Sequence, residues 1–117
     1  MQGLNGIMRK ESRLRNPLDF RKAFREGKRF KSPHFALYIR RNSLVEGRFG
    51  VSFSKAHCKL ATRRNRLRRI AKEEFRNNVA PGFKGYDFAV ASRASYRHLD
   101  IEKIAGELKQ LIGGTKG

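Results

Sequence analysis

Between Leu60 and Arg76 the chain mixes apolar and cationic residues in an order that a helix sorts cleanly. At 3.6 residues per turn, Leu60, Leu67, Ile70, Ala71 and Phe75 share one side, while Asn65, Arg68, Arg69, Lys72 and Arg76 share the other. The spacing predicts a helix over about 60–78, ended by Pro81-Gly82. Such a helix needs an apolar layer behind it and presents fixed charge in front. Seven Lys or Arg lie from Arg63 to Arg76 against two Glu, so pairing of the Arg69–Glu73 kind cannot balance the excess. The natural partner is a polyphosphate backbone, whose oxygens the planar guanidinium fits better than an ammonium does. Asn65 is a poor helix former that can donate to or accept from a phosphate, a ribose hydroxyl or bound water.

The rest of the charge supports that reading. The formal net charge is +18, and residues 1–76 carry 22 Lys and Arg against 6 Asp and Glu. Nucleic acid is the first candidate partner for so basic a chain and an anionic membrane the second. No run of about 18 apolar residues offers a transmembrane helix, and the first residues are too weakly apolar for a signal peptide. Cys58 is alone, which excludes an intramolecular disulfide and a zinc site built from cysteine pairs. Cytoplasm is the default compartment. With 117 residues and 38% hydrophobic content, one domain with a modest core is expected. We expect a mobile basic arm over 1–15, a single domain over 16–113 and a short tail over 114–117.

Asn16-Pro17 starts a first helix, with Asn as the N-cap, Pro at the first helical position and Asp19 near the positive end of the dipole; Gly27 stops it. Residues 28–32 form a short strand or a connector. Residues 34–41 alternate, with Phe35, Leu37 and Ile39 opposite Ala36, Tyr38 and Arg40. Residues 48–54 alternate again, and the two runs suggest an antiparallel pair. A further strand over 86–92 precedes an amphipathic helix over 101–112, closed by Gly113-Gly114. The order α-β-β-β-α-β-α makes an α+β domain, one small sheet with helices packed on it.

The sheet has two unequal faces. Phe35, Leu37, Ile39, Phe49, Val51, Phe53, Phe88 and Val90 make one, which the helices at 60–78 and 101–112 must cover. Ala36, Gly50, Ser52, Ala89 and Ala91 leave the other sparse, with Tyr38 its one large residue. A binding trough is expected there. Phe20 and Phe24, one turn apart beside Arg21, Lys22, Arg25 and Lys28, suit either core anchoring or stacking of unpaired bases. Of the two, Phe20 is expected to stand in the cleft and Phe24 to share in docking the helix end near Gly27. His34, His57 and His98 read as surface residues. No metal cluster, acid–base pair or nucleophile is visible, so the chain alone does not look catalytic.

The segment Ala61-Thr-Arg-Arg-Asn-Arg-Leu-Arg-Arg, followed by Lys72-Glu-Glu-Phe75-Arg, resembles the arginine-rich motif of the protein subunit of bacterial ribonuclease P. Arg13-Leu-Arg-Asn-Pro-Leu-Asp-Phe20-Arg-Lys-Ala-Phe24 resembles that family's first helix. Phe35-Ala-Leu-Tyr38, Phe49-Gly-Val-Ser-Phe-Ser-Lys55 and Gly85-Tyr-Asp-Phe-Ala-Val-Ala resemble its strands. The similarity spans roughly residues 9–112. It implies an α-β-β-β-α-β-α sandwich, with the basic helix in a left-handed crossover. It implies that a ribonuclease P RNA carries out Mg²⁺-dependent hydrolysis of the 5′ leader of precursor tRNA, while the protein binds both RNAs and supplies no catalytic residue. Arg64, Asn65, Arg66, Arg68, Arg69 and Lys72 would face the RNA subunit. Phe20, Phe24, Tyr38 and Arg68 would line a leader cleft. No membrane and no obligate protein partner are implied, and no metal ligand on the protein is assigned. Ala56-His57-Cys58-Lys59-Leu60 departs from the family's pattern, which has a second Lys and a Gly there, so no contacts are carried over for that loop. A structural RNA-binding protein, such as a ribosomal protein, is the other reading of the charge. An independent nuclease lacks a catalytic constellation.

Overall fold

The computed structural model describes Leu14 and residues 16–42, 47–79 and 84–114. Residues 1–13 and 15 of the expected arm, the stop at Pro81-Gly82 and residues 115–117 lie outside the described residues. Helix α1 (Pro17–Glu26) starts as its sequence dictates: Asn16 Oδ1 accepts from the Leu18 N–H at 2.8 Å. Strands β1 (Lys28–Lys31), β2 (Phe35–Arg41) and β3 (Arg48–Ser52) follow, then helix α2 (Ala61–Asn78), strand β4 (Tyr86–Ser92) and helix α3 (Ile101–Gly113). Asp100 caps α3 through the Glu102 N–H at 2.9 Å. The expected α-β-β-β-α-β-α order is the observed one.

The strand pairing differs from the sequence reading. β2 and β3 are not neighbours: the sheet order is β1-β2-β4-β3, with β4 antiparallel to β2 and parallel to β3. Alternation fixes which face a side chain takes but not which strand lies alongside. Phe88, Ala89 and Val90 are all fully buried, so β4 is covered on both faces and takes the interior position. Helix α2 makes the crossover between the parallel strands β3 and β4.

The bulky face is covered as expected. Phe35, Leu37, Phe49, Phe88 and Val90 pack in one core with Leu67, Ala71 and Phe75 of α2 and Ile104, Leu108 and Ile112 of α3. On the other face α1 lies across the sheet, burying Ala23 against Ala89, with Leu14, Phe20 and Tyr38 around them. Leu14, which composition places in the arm, is only 2% exposed and donates its N–H to the Phe49 carbonyl at 2.9 Å. Gly50 makes this approach possible. A Cβ there would stand 2.3 Å from the Leu14 carbonyl oxygen and 2.6 Å from Phe20 Cζ. The sparse face is therefore occupied in part by α1.

One end of that face is ionic. Asp87 of β4 is fully buried and accepts from Arg48 Nε and Nη2 and from Asn42 Nδ2, each at 2.8 Å. Its neighbours in register are Arg40 on β2 and Arg48 on β3. Arg48 also reaches Asp19 at 3.2 Å, and Arg40 donates to Glu26 at 2.9 Å, which ties both ends of α1 to the sheet.

A second polar cluster fastens α3. Glu107 accepts from the Ser32 hydroxyl, from the His34 N–H at 2.7 Å and from His34 Nδ1 at 2.8 Å. His57 Nδ1 lies 2.7 Å from Ser92 Oγ. Thus His34 and His57 are half-buried and partnered, and only His98 is the exposed surface residue expected of all three.

Two outcomes follow from these clusters. Asp87→Ala, which strands Arg48 without its buried partner, lowers unfolding free energy by about 3–5 kcal/mol, measured by urea denaturation. Burial pushes the Glu107 carboxyl up, but the hydrogen bonds from Ser32 and His34 outweigh it and hold it below its ordinary value of 4.5. A depressed carboxylate stabilises the fold above the unfolded value, and that contribution disappears as pH falls through the folded value. The stability gap between the protein and Glu107→Gln is therefore widest above pH 4.5 and closes on acidification; a gap independent of pH would contradict this assignment.

Candidate nucleic-acid interface

The inner stripe of α2 is Arg64, Leu67, Ala71 and Phe75, spaced to face the core. Its first position belongs to Arg64 and not, as periodicity suggests, to Leu60. Leu60 is the N-cap residue and is 59% exposed. Arg64 is 8% exposed, and its Nη1 donates to the Cys58 and Lys59 carbonyls, both at 2.8 Å. This defines the path of the loop that departs from the family pattern. Residues 54–57 turn, with the His57 N–H bonded to the Ser54 carbonyl at 3.1 Å, and Cys58 is buried in the core at 1% exposure. Tyr96 covers that site, its N–H bonded to the His57 carbonyl at 3.1 Å. Burial, with the Cys58 thiol beside it, pushes the Tyr96 hydroxyl up to about 12. Arg64 thus shapes the entry to the helix instead of facing outward with Arg68 and Arg69. Arg64 stands three, seven and eleven residues before Leu67, Ala71 and Phe75, so helical spacing does mark it as the inward arginine of the run, and only its charge argued for the outer face.

The other cations of α2 divide into two sets. Arg63 donates to the Arg97 carbonyl at 3.0 Å and to the Leu99 carbonyl, and Arg66 pairs with Glu102, so both lean toward α3. On the front, Arg68 Nη1 donates to Asn65 Oδ1 at 2.7 Å, while Arg69 and Lys72 are exposed. Among the described residues no carboxylate pairs with Arg68, Arg69 or Lys72. The Arg69–Glu73 type of pairing is not formed.

On the far side of the sheet the structure brings Phe20, Phe24 and Tyr38 together. The Phe20 and Phe24 centroids are 5.8 Å apart, and Phe24 meets Tyr38 edge-on at 4.9 Å. Beside them the floor is made of Ala36, Ala91 and Ser52, small side chains on adjacent strands. The two phenylalanines exchange the places expected of them. Phe20 is tucked against Gly50, and Phe24 is the more open ring at 37% exposure. The docking end of α1 is held instead by Ala23 against Ala89 and by the close approach of Gly27 to β2, where a Cβ would stand 3.0 Å from the Ile39 carbonyl oxygen, and Phe24 is left the more open ring. Among the described residues no ring contact joins Arg68 to this trio.

Among the described residues no group of three or more His, Cys, Asp or Glu side chains is placed to hold a metal ion. No helix there is long and apolar enough to cross a membrane.

The ribonuclease P family matches residues 8–116. The chain belongs to the ribonuclease P protein family. It is 36% identical over 103 residues to the ribonuclease P protein component of Clostridioides difficile, covering 87% of this chain and 90% of that one. It is 35% identical over 108 residues to the component from Aliivibrio salmonicida, covering 92% of each. The solved RNase P protein from Thermotoga maritima superposes with a TM-score of 0.66 at 31% identity, over 90% of this chain and 98% of that one. The Staphylococcus aureus RNase P protein shares the fold, with a TM-score of 0.72 at 23% identity, over 90% and 95% of the two chains. Within this family fold the outer front of α2 and the ring-lined face under α1 are separate surfaces.

The two classes of arginine are separable by substitution. Arg64→Ala orphans two loop carbonyls and lowers stability by about 1.5–3 kcal/mol. Arg69→Ala, on the wet front, changes it by less than about 0.5 kcal/mol. Thermal melts of the two variants side by side measure the difference.

Proposed function

We propose that this chain is the protein component of a ribonuclease P, binding the ribonuclease P RNA and the 5′ leader of precursor tRNA. Asn65, Arg68, Arg69 and Lys72 meet the RNA subunit, because they lie on the outer front of α2, where no carboxylate pairs with the three cations. Arg66 joins them once RNA phosphate competes for it with Glu102. Arg64 supports that surface from inside through the carbonyls it fixes. Phe20, Phe24 and Tyr38 receive unpaired leader bases, with Phe24 offering the most open ring.

The observation that carries the reading is the contact of three rings above a floor of small residues, on a strongly cationic molecule. A purely structural RNA-binding protein needs no such stacking platform. Hydrolysis belongs to the RNA subunit with its Mg²⁺ ions. Among the described residues Asp19, Glu26, Asp87 and Glu102 are engaged by arginine, Asp100 by its helix cap and Glu107 by His34, and no carboxylate cluster offers an oxygen set for a hard cation. The protein's part is to position and to neutralise. Its site of action is the cytoplasm, and no further protein partner is needed for it.

Protein freed of RNA leaves precursor tRNA intact. Adding the ribonuclease P RNA and Mg²⁺ produces cleavage at the leader junction. Phe24→Ala weakens holoenzyme binding of precursor tRNA by about 1–3 kcal/mol and leaves binding of mature tRNA nearly unchanged. Phe20→Ala also costs stability, because that ring packs on Gly50. Equal losses on precursor and mature tRNA would remove the leader role, and cleavage by the protein alone would remove the assignment.

A further inference from the structure

Four strand-borne cations share the sheet face that carries α1: Arg29, Lys31, Arg40 and Arg48. Their face is fixed by register, since Arg29 pairs with Tyr38 and Lys31 with Ala36, while Phe30 between them packs in the opposite core. They differ in what they touch. Arg40 and Arg48 lie against Glu26, Asp19 and Asp87. Arg29 and Lys31 are exposed, and among the described residues neither has a carboxylate partner. The ionic end of the face is therefore neutralised and lined with carboxylates, which repel phosphate. The β1 end is cationic and open. It lies on an edge strand, so nothing in the sheet covers its outer side.

We propose that Arg29 and Lys31 form a phosphate rail for the single-stranded leader, running beside the aromatic trio along β1. The proposal rests on the leader reading above and adds the path of the backbone to it. The Arg29 guanidinium stands over the Tyr38 ring, 5.9 Å from its centroid. The ring's electron-rich face steadies the cation there without neutralising it, so the guanidinium's donors are still free for a phosphate oxygen. Side chains two apart on one strand face are about 7 Å from each other, a separation that successive phosphates of an extended strand can match. A base on Phe24 or Tyr38 thus has its backbone led toward the β1 edge and away from the Asp87 cluster.

The test uses holoenzyme reconstituted with its ribonuclease P RNA, and two precursor tRNAs, one with a single-nucleotide leader and one with a leader long enough to cross the sheet. R29A/K31A is expected to lose at least about tenfold in affinity for the long leader and to bind the single-nucleotide substrate as the unaltered protein does. Its slope of log K against log salt on the long leader should fall by about 1.4, two single-strand phosphates' worth. R29K restores most of the slope, since the charge remains. Equal losses on both substrates would place these cations on the tRNA body or the RNA subunit and overturn the rail. Unaltered affinity and slope on the long leader would overturn it as well. If the unaltered holoenzyme itself does not distinguish the two leaders, the underlying leader reading fails, an outcome distinct from failure of the rail alone. Both side chains are exposed, so an unchanged melting temperature is expected and confirms that folding is not what the assay reads.

Discussion

Asp87 is the group on which the arrangement of this molecule depends. A carboxylate with no exposure is tolerable only if it is bonded on several sides, and Asp87 is, by Arg48 on one neighbouring strand and Asn42 at the end of the other. A buried ion pair adds little net stability compared with an apolar replacement, but breaking one is costly. Its effect is selective. It holds β4 between β2 and β3, because only that order places both Arg40 and Arg48 beside it. Through Arg48 and Arg40 it also attracts Asp19 and Glu26 and sets α1 across the sheet. That orientation brings Phe24 onto Tyr38.

The same cluster decides how the charge of the molecule is distributed. A net +18 could be an undirected cloud, yet many cations are fixed to partners within the fold. Arg40 and Arg48 serve the buried carboxylate, Arg64 the loop carbonyls, Arg63 the segment before α3, and Arg66 Glu102. The outer front of α2 and the β1 edge keep charge that nothing on the described chain neutralises. A protein with cations on two separate surfaces can engage two segments of RNA at once, and counterion release at each makes both contacts sensitive to salt. Under the proposed reading, ring stacking on the sheet face adds recognition of unpaired bases.

Much of this was legible in the sequence because periodicity is a local property. The helices at 17–26 and 101–113 fall where their caps place them, the helix at 61–78 where its periodicity does, and the strands at 35–41 and 86–92 where alternation does. The sparse face was legible too, since Ala36, Gly50, Ala89 and Ala91 alternate with bulky residues. The separation of β2 from β3 was not. Nothing local in either run records that a strand formed after an intervening 18-residue helix comes between them. The inward turn of Arg64 escaped although its spacing marks it, because its charge argued for the outer face. Its acceptors are loop carbonyls whose direction depends on Cys58 filling a core site.

The sequence by itself determined the element order, the two-faced sheet and the cationic helix, because propensity, capping and side-chain alternation act over a few residues. The motifs in it were also enough to point to the family. Tertiary structure decided which cations remain available and which rings meet. Those outcomes depend on contacts between residues far apart in the chain: Asp87 with Arg48, Glu107 with His34, Gly50 with Leu14 and Phe20. Desolvation makes an arginine's partner a matter of burial, and burial is settled only when the layers close.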